Sequence, residues 1–133
     1  MKIVTHLNFS GECRAAFGFY ADLMGGEIVA LTPFSETPMA DHFGAEWREK
    51  IWHGHVRIGG IDLMATDTPP ALYTRPQGFA VALHVGSDSE AERIFDGLLV
   101  GGEVTVPLAQ NSWASRFGIL KDRFGIPWIV THG

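Results

Sequence analysis

Residues 3–31, IVTHLNFSGECRAAFGFYADLMGGEIVAL, and residues 79–107, FAVALHVGSDSEAERIFDGLLVGGEVTVP, align without a gap at an offset of 76 positions. Gly25-Gly26-Glu27-Ile28 returns as Gly101-Gly102-Glu103-Val104, while Leu7, Ala15, Phe19 and Leu23 return as Leu83, Ala91, Phe95 and Leu99. An internal repeat organises everything else in a chain, and here the matched positions share a physical role. Ala15, Phe19 and Leu23 are spaced i, i+4, i+8, as are Ala91, Phe95 and Leu99, which predicts one apolar stripe on a helix in each copy. Glu12 in the first copy, and Asp88, Glu90 and Glu92 in the second, stand near the helix starts, where acidic groups suit the helix dipole. The Gly-Gly pair then supplies a positive φ for the C-cap. An alternating strand precedes each helix (3–9 and 79–85) and a β-prone run follows it (27–31 and 103–107), so each copy opens β-α-β.

Further strands complete both copies. Residues 51–58 alternate in part and end at Gly59-Gly60, with 61–65 as the other arm of a hairpin. In the second copy 116–121 and 126–131 flank Asp122-Arg123-Phe124-Gly125. The expected fold class is therefore α+β: two βαβββ units whose curved mixed sheets enclose a cavity. The first unit is 1–67, the connector 68–78 with Pro69, Pro70 and Pro76, and the second unit 79–133, together making one structural domain. Residues 32–50 are an insertion in the first unit. With Pro33, Pro38, Gly44 and Trp47 it reads either as a mobile lid or as an ordinary surface excursion.

Composition narrows the function classes. The chain has 133 residues, long enough for a core without staples; 46% are hydrophobic and 19% charged, so wholesale disorder is excluded. A net charge of −5 argues against nucleic acid or an anionic membrane as the main partner. Cys13 is the single cysteine, which excludes an intrachain disulfide and a cysteine-rich zinc site. It sits near a helix N-terminus, which can activate a thiol, but no base stands nearby in sequence and it reads as inert. The start MKIVTH turns polar too early for a secretion signal, and no apolar run approaches a membrane span. A reduced cytoplasm is the expected location. There is no P-loop, no G-x-G-x-x-G and no G-x-S-x-G, so nucleotide binding and serine hydrolysis lose support.

Strand parity selects the candidate site. Leu7 and Phe9 are the large apolar pair of the first strand and face the helix, so His6 and Asn8 lie opposite with Val4. In the second unit Leu83 and Val85 take the helix side, and His84 lies opposite with Ala82. Residues 51–58 put His53, His55 and Arg57 on one face and Trp52, Val56 and Ile58 on the other. Two imidazoles at H-x-H spacing on a strand point the same way, and with His6 across from them three can converge on zinc, iron or nickel. They read equally as histidines of a wet, half-exposed sheet face. No carboxylate falls at an obvious companion position. In the run Asn111-Ser112-Trp113-Ala114-Ser115-Arg116, Trp113 can stack on a flat ligand and Arg116 can hold an anion. Alternatively Trp113 plugs the sheet end and Arg116 pairs with Asp122.

The chain resembles the vicinal oxygen chelate superfamily, which includes glyoxalase I, bleomycin-resistance proteins and extradiol dioxygenases, and within it the PhnB-like branch. The resemblance spans nearly the whole chain. It rests on Leu7-Asn8-Phe9-Ser10-Gly11-Glu12-Cys13, on Phe19-Tyr20 with Gly25-Gly26-Glu27, on His53 through Gly60, and on Leu63-Met64-Ala65-Thr66-Asp67. Its most specific stretch is Trp113-Ala114-Ser115-Arg116-Phe117-Gly118 with Asp122 through Trp128. By resemblance, metal-dependent members carry four ligands, His or Gln with Glu, from the first and last strands of each unit. In this sequence His6 stands at one such position, whereas Ala80 or Ala82, Leu63 or Met64, and Trp128 or Ile129 stand at the others. The expectation is accordingly no metal and no other cofactor, with His6, His53 and His55 as an atypical alternative. Some PhnB-like sequences carry a demethylubiquinone methyltransferase label, but nothing here resembles a domain for S-adenosylmethionine.

Two functions follow. One is a binding protein whose cavity, lined by His6, Asn8, His53, His55, His84, Trp113 and Arg116, takes up a small molecule. The other is a lyase, isomerase or dioxygenase that uses histidine acid–base chemistry or an atypical His-ligated metal. By resemblance a homodimer is expected.

Overall fold

The computed structural model describes all 133 residues. The chain forms two compact units, Met1–Thr74 and Arg75–Gly133, divided inside the 68–78 stretch. No helix is long and apolar enough to cross a membrane.

In the first unit β1 (Thr5–Phe9), α1 (Cys13–Met24), β2 (Glu27–Pro33), β3 (Ile51–Ile58) and β4 (Ile61–Asp67) follow one another. They build one four-stranded sheet of order β1-β4-β3-β2, with β1 parallel to β4 and the other pairs antiparallel. The second unit repeats the plan with β5 (Val81–His84), α2 (Asp88–Leu99), β6 (Glu103–Ala109), β7 (Arg116–Lys121) and β8 (Pro127–His132), in the order β5-β8-β7-β6. The expected βαβββ duplication is what the chain forms.

Each helix covers one face of its own sheet. Leu7, Phe9, Val56 and Ala65 are buried under α1, and Leu120, Trp128 and Val130 are buried in the second unit. The buried residues of α1 are Cys13, Ala16, Phe17, Tyr20 and Ala21, and those of α2 are Ala91, Ile94, Phe95 and Leu98. This corrects the expected stripe on α1, because Ala15 is exposed and Phe19 and Leu23 are half-buried. Phe17, not Phe19, does in unit 1 what Phe95 does in unit 2: each packs under a glycine of the middle strand. A Cβ on Gly54 would lie 2.7 Å from Cys13 Sγ and 3.3 Å from Phe17, and one on Gly118 would lie 2.7 Å from Phe95. The aligned identities within the helices therefore run two residues out of step with the packing.

The Gly-Gly pairs have two jobs. Gly25 and Gly101 take positive φ, 67° and 74°. Gly26 and Gly102 let the chain cross the neighbouring strand, since a Cβ there would sit 2.6 and 2.2 Å from the carbonyls of Arg57 and Lys121.

The helix starts differ. Ser87 caps α2, accepting the Glu90 N–H at 3.1 Å, while Glu90 Oε1 accepts the Gly86 N–H at 3.1 Å, a capping-box-like pair reaching one residue further back. No side chain of its own caps α1. Asp67, buried at the end of β4, accepts the N–H groups of Gly11 and Cys13 at 3.1 and 2.9 Å through Oδ1, and that of Ile51 at 2.8 Å through Oδ2. Burial nonetheless pushes its carboxyl above the ordinary value, against the pull of these three donors.

The 32–50 insertion is anchored. Phe34 and Trp47 are buried, and Phe34 meets Phe43, Trp47 and Trp52 at centroid distances of 5.7, 6.3 and 5.3 Å. Strand parity puts Trp52 on one face of β3 with Val56, and the structure departs from that. The register runs Thr32↔His53 and then Pro33↔Ile51, so Trp52 is the extra residue of a bulge. The bulge turns Ile51 into the core and leaves Trp52 42% exposed beside Phe34.

Candidate ligand-binding site

The sheet face of unit 1 away from α1 carries four of the sequence-selected residues. His6 and Asn8 extend from β1, and His53 and His55 from β3, with Met64 of β4 registered against both His6 and His55. His6 Nε2 lies 3.0 Å from Thr66 Oγ1. Partial burial, and then the charge of nearby His53, hold the His6 imidazole below its ordinary value. His55 Nε2 is 2.9 Å from Asp62 Oδ1, which also takes Arg57 Nε at 3.0 Å, while Asp62 Oδ2 takes Lys2 Nζ at 2.8 Å. Those contacts, Lys2 foremost and then His55, hold the Asp62 carboxyl well below the usual carboxylate range.

These imidazoles do not converge. The rings of His53 and His55 are 6.4 Å apart and steeply inclined, and no three His, Cys, Asp or Glu side chains gather as a metal-holding group. In this arrangement His6, His53 and His55 are not gathered for chelation. At the ligand positions implied by the superfamily, β1 registers His6 against Met64 and β5 registers Ala82 against Ile129. One imidazole, one thioether and two hydrocarbon side chains do not fit a hard divalent ion.

Unit 2 holds a cavity of about 470 Å³ at the end of its sheet. Ala82, His84, Trp113, Phe117, Ile129 and His132 are among its lining residues. His84 and Trp113 are thus brought together. Trp113 does not plug the sheet end: it is 67% exposed and meets Phe117 edge-on, with centroids 5.7 Å apart. Asn111 holds it there, its Oδ1 accepting the N–H groups of Trp113 and Ala114 at 3.0 and 2.8 Å. Arg116 is not among the cavity residues and does not pair with Asp122. Its Nε is 3.1 Å from Glu92 Oε1 and its Nη1 3.5 Å from Asp88 Oδ2. Asp122 is buried and accepts the N–H groups of Phe124 and Ile126 and the Trp128 indole at 2.9, 3.0 and 2.8 Å. The ion-pair partners of Arg116 are thus Glu92 and Asp88 in place of the expected Asp122.

Sequence reasoning also misses a cavity residue. A strand read as 126–131 leaves His132 outside the parity argument, yet His132 Nδ1 lies 3.0 Å from Asp88 Oδ1 and 3.2 Å from Ser115 Oγ. Ser115 Oγ also donates to Asp88. That bond from Ser115, and then His132, hold the Asp88 carboxyl below its ordinary value. The available signal was an acidic residue directly after a Ser87 cap, which the dipole alone explains equally well. Cys13, by contrast, is buried, and burial and then Asp67 push its thiol up, away from reactivity.

Comparison with known proteins places these features. The family described as 3-demethylubiquinone-9 3-methyltransferase matches residues 1–131. Protein YjdN of Escherichia coli is 30% identical over 138 residues, covering 98% of this chain and 94% of that protein. The crystal structure of protein PA1353 from Pseudomonas aeruginosa is 40% identical with a TM-score of 0.87, covering 99% of this chain and 97% of the other. A Bacillus cereus structure titled as a putative 3-demethylubiquinone-9 3-methyltransferase, PhnB protein, is 24% identical with a TM-score of 0.85 and full coverage of both chains (100% each). At the level of fold alone, a glyoxalase-related enzyme from Fulvimarina pelagi matches at 17% identity and a TM-score of 0.61, over 100% of this chain and 89% of that one.

The residues present do not fit a bound methyl donor of the S-adenosylmethionine kind. Neither sheet is a doubly wound parallel one. Asp67 already takes the Cys13 N–H at the start of α1, and Ser87 takes the Glu90 N–H at the start of α2.

Proposed function

The chain belongs to the family described as 3-demethylubiquinone-9 3-methyltransferase, in the PhnB-like branch of the vicinal oxygen chelate superfamily, and from that premise we propose that it binds a small, flat, largely apolar molecule without the superfamily's metal site. The observation that carries this reading is the cavity of about 470 Å³ in unit 2. Its size suits a small ligand, and it joins apolar walls to a few polar groups, as binding pockets do. Trp113 is a large apolar ring left mostly in water at its edge, which a stacked ligand would cover. No methyl-transfer step is assigned to it, since neither sheet is of the doubly wound parallel kind.

The test is a titration with planar aromatic fragments followed by calorimetry, on the intact protein and on Trp113→Ala and His84→Ala. Both side chains are exposed, so the fold is expected to survive. Saturable binding that weakens about tenfold in Trp113→Ala supports the reading. Binding that is unchanged in both variants, or absent for the whole panel, overturns it.

The assembly we propose is a homodimer in the cytoplasm. The edge strands β2 and β6 leave Ile28, Val29, Val104 and Val106 exposed, which suits association. Sedimentation at micromolar concentration is expected to show about twice the 14.6 kDa chain mass, and a species of one chain mass would refute the dimer.

A further inference from the structure

We propose that the unit 2 cavity takes a neutral, planar aromatic that carries a carbonyl oxygen, and that His84 donates a hydrogen bond to that oxygen. This deepens the cavity reading above and rests on it. The register places the residues. Leu83, Val130 and Gly118 stand in a row across β5, β8 and β7 on the side packed against α2, where a Cβ on Gly118 would lie 2.7 Å from Phe95. The next row, His84, Thr131 and Phe117, therefore faces the other way, and all three line the cavity. Ala82 and Ile129 share that face. His132 is registered against Arg116 and bonded to Asp88, so its side chain belongs to the α2 side.

The side chains left free on this face name the ligand class. Thr131 spends its one hydroxyl hydrogen on the Arg116 carbonyl at 3.0 Å. At the rim, the backbone N–H groups of Trp113 and Ala114 go to Asn111 Oδ1, and that of Val85 goes to the Thr131 carbonyl. The His84 imidazole and the Trp113 indole remain, both exposed and neither hydrogen-bonded within the chain. An imidazole holds at least one N–H whether neutral or protonated, and an indole N–H only donates. The ligand therefore needs an acceptor in either state of His84. No lining side chain carries a permanent charge, and Arg116 is engaged by Asp88 and Glu92. An ionised carboxylate would thus leave water without a fixed counter-charge to meet it. Trp113 and Phe117 supply ring surface for a flat partner. An aromatic ketone or amide meets each condition: a flat ring, no charge and a strong acceptor.

The experiment is calorimetric titration of the full chain with acetophenone, with benzoate, and with α-methylstyrene, in which a CH2 group replaces the carbonyl oxygen at nearly the same shape. The readout is the ratio of the acetophenone and α-methylstyrene affinities in the unaltered protein, His84→Phe and His84→Gln, because the ratio cancels the difference in how the two compounds leave water. It is expected to fall about tenfold in His84→Phe, which keeps a ring but has no N–H, and to stay within about threefold in His84→Gln, whose amide still donates. A ratio unchanged in His84→Phe overturns the inference and leaves the cavity reading standing. A fall as large in His84→Gln as in His84→Phe overturns it too, since the imidazole would then shape the cavity without donating. Benzoate binding more tightly than acetophenone overturns the neutral class. No binding by any compound overturns this inference and the cavity reading together.

Discussion

Gly54 has no room for a side chain. A Cβ there would meet Cys13 Sγ at 2.7 Å, and both atoms are held by buried backbone. Gly54→Ala is expected to destabilise the protein by about 1–3 kcal/mol in chemical denaturation, the usual cost of an overpacked core. Gly86→Ala is the control, since nothing lies within 4 Å of a Cβ there, and it is expected to change stability by less than about 0.5 kcal/mol. Truncating the obstacle should restore the loss: Cys13→Ala in the Gly54→Ala background is expected to recover stability. A second residue-scale consequence concerns pH. Folding holds His6 below the ordinary imidazole value of 6.5, so between the two values the unfolded chain binds the proton more readily. Stability at His6 is therefore complete above 6.5 and declines as pH falls below it. His6→Asn is expected to flatten the slope of melting temperature against pH in that range, and an unaltered slope would show that the proton uptake lies elsewhere. Neither close contact nor burial of a single imidazole is visible in a sequence. Strand parity did place His6 opposite Leu7, and that is the part a local pattern can carry.

At the scale of an element, the two helices show why related segments need not be read the same way. The cap of α2 is local: Ser87 takes the Glu90 N–H, and Glu90 reaches back to the N–H of Gly86 just before it. The cap of α1 comes from Asp67, more than fifty residues away in the chain. A local pattern can reveal the first, whereas only the β1–β4 pairing, which sets Phe9 beside Asp67, reveals the second. The energetic consequence differs accordingly. Ser87→Ala removes one exposed cap and is expected to cost about 1 kcal/mol. Asp67→Asn replaces one acceptor oxygen by an amide that faces N–H donors on either side, and buried donors without acceptors cost about 1–3 kcal/mol each. Its denaturation midpoint is expected to fall further than that of Ser87→Ala. If the order is reversed, the carboxylate is not what organises the start of α1. The same logic explains the misread stripe on α1. Apolar spacing at Ala15, Phe19 and Leu23 is a valid helical pattern, but Cys13, Ala16, Phe17 and Tyr20 make one as well. Only the sheet beneath decides, through the glycine of β3.

Across the whole chain, the repeat made the fold legible because glycine pairs and strand alternation are set by backbone geometry that both units share. The site was less legible because its parts diverge between the units. The residues at corresponding strand positions, His6 with Met64 and Ala82 with Ile129, keep the architecture but not the chemistry. In a superfamily whose metal-dependent members draw ligands from these strands, that replacement has a measurable consequence. A hard divalent ion needs oxygen or imidazole donors and gains nothing from a methyl group; the one thioether is a soft ligand. His53 and His55 do not compensate, with rings 6.4 Å apart and His55 already bound to Asp62. The melting temperature is therefore expected to be the same with chelator as with added zinc, iron, nickel or manganese, because a ligand that does not bind the native state adds nothing to its stability. Elemental analysis of untagged protein is expected to find metal well below one equivalent. Stoichiometric metal together with a melting temperature that drops in chelator would overturn this, and would mean that His6, His53 and His55 rearrange to bind. The His53→Ala variant separates the two accounts, since it abolishes the chelator effect in the second and has none to abolish in the first.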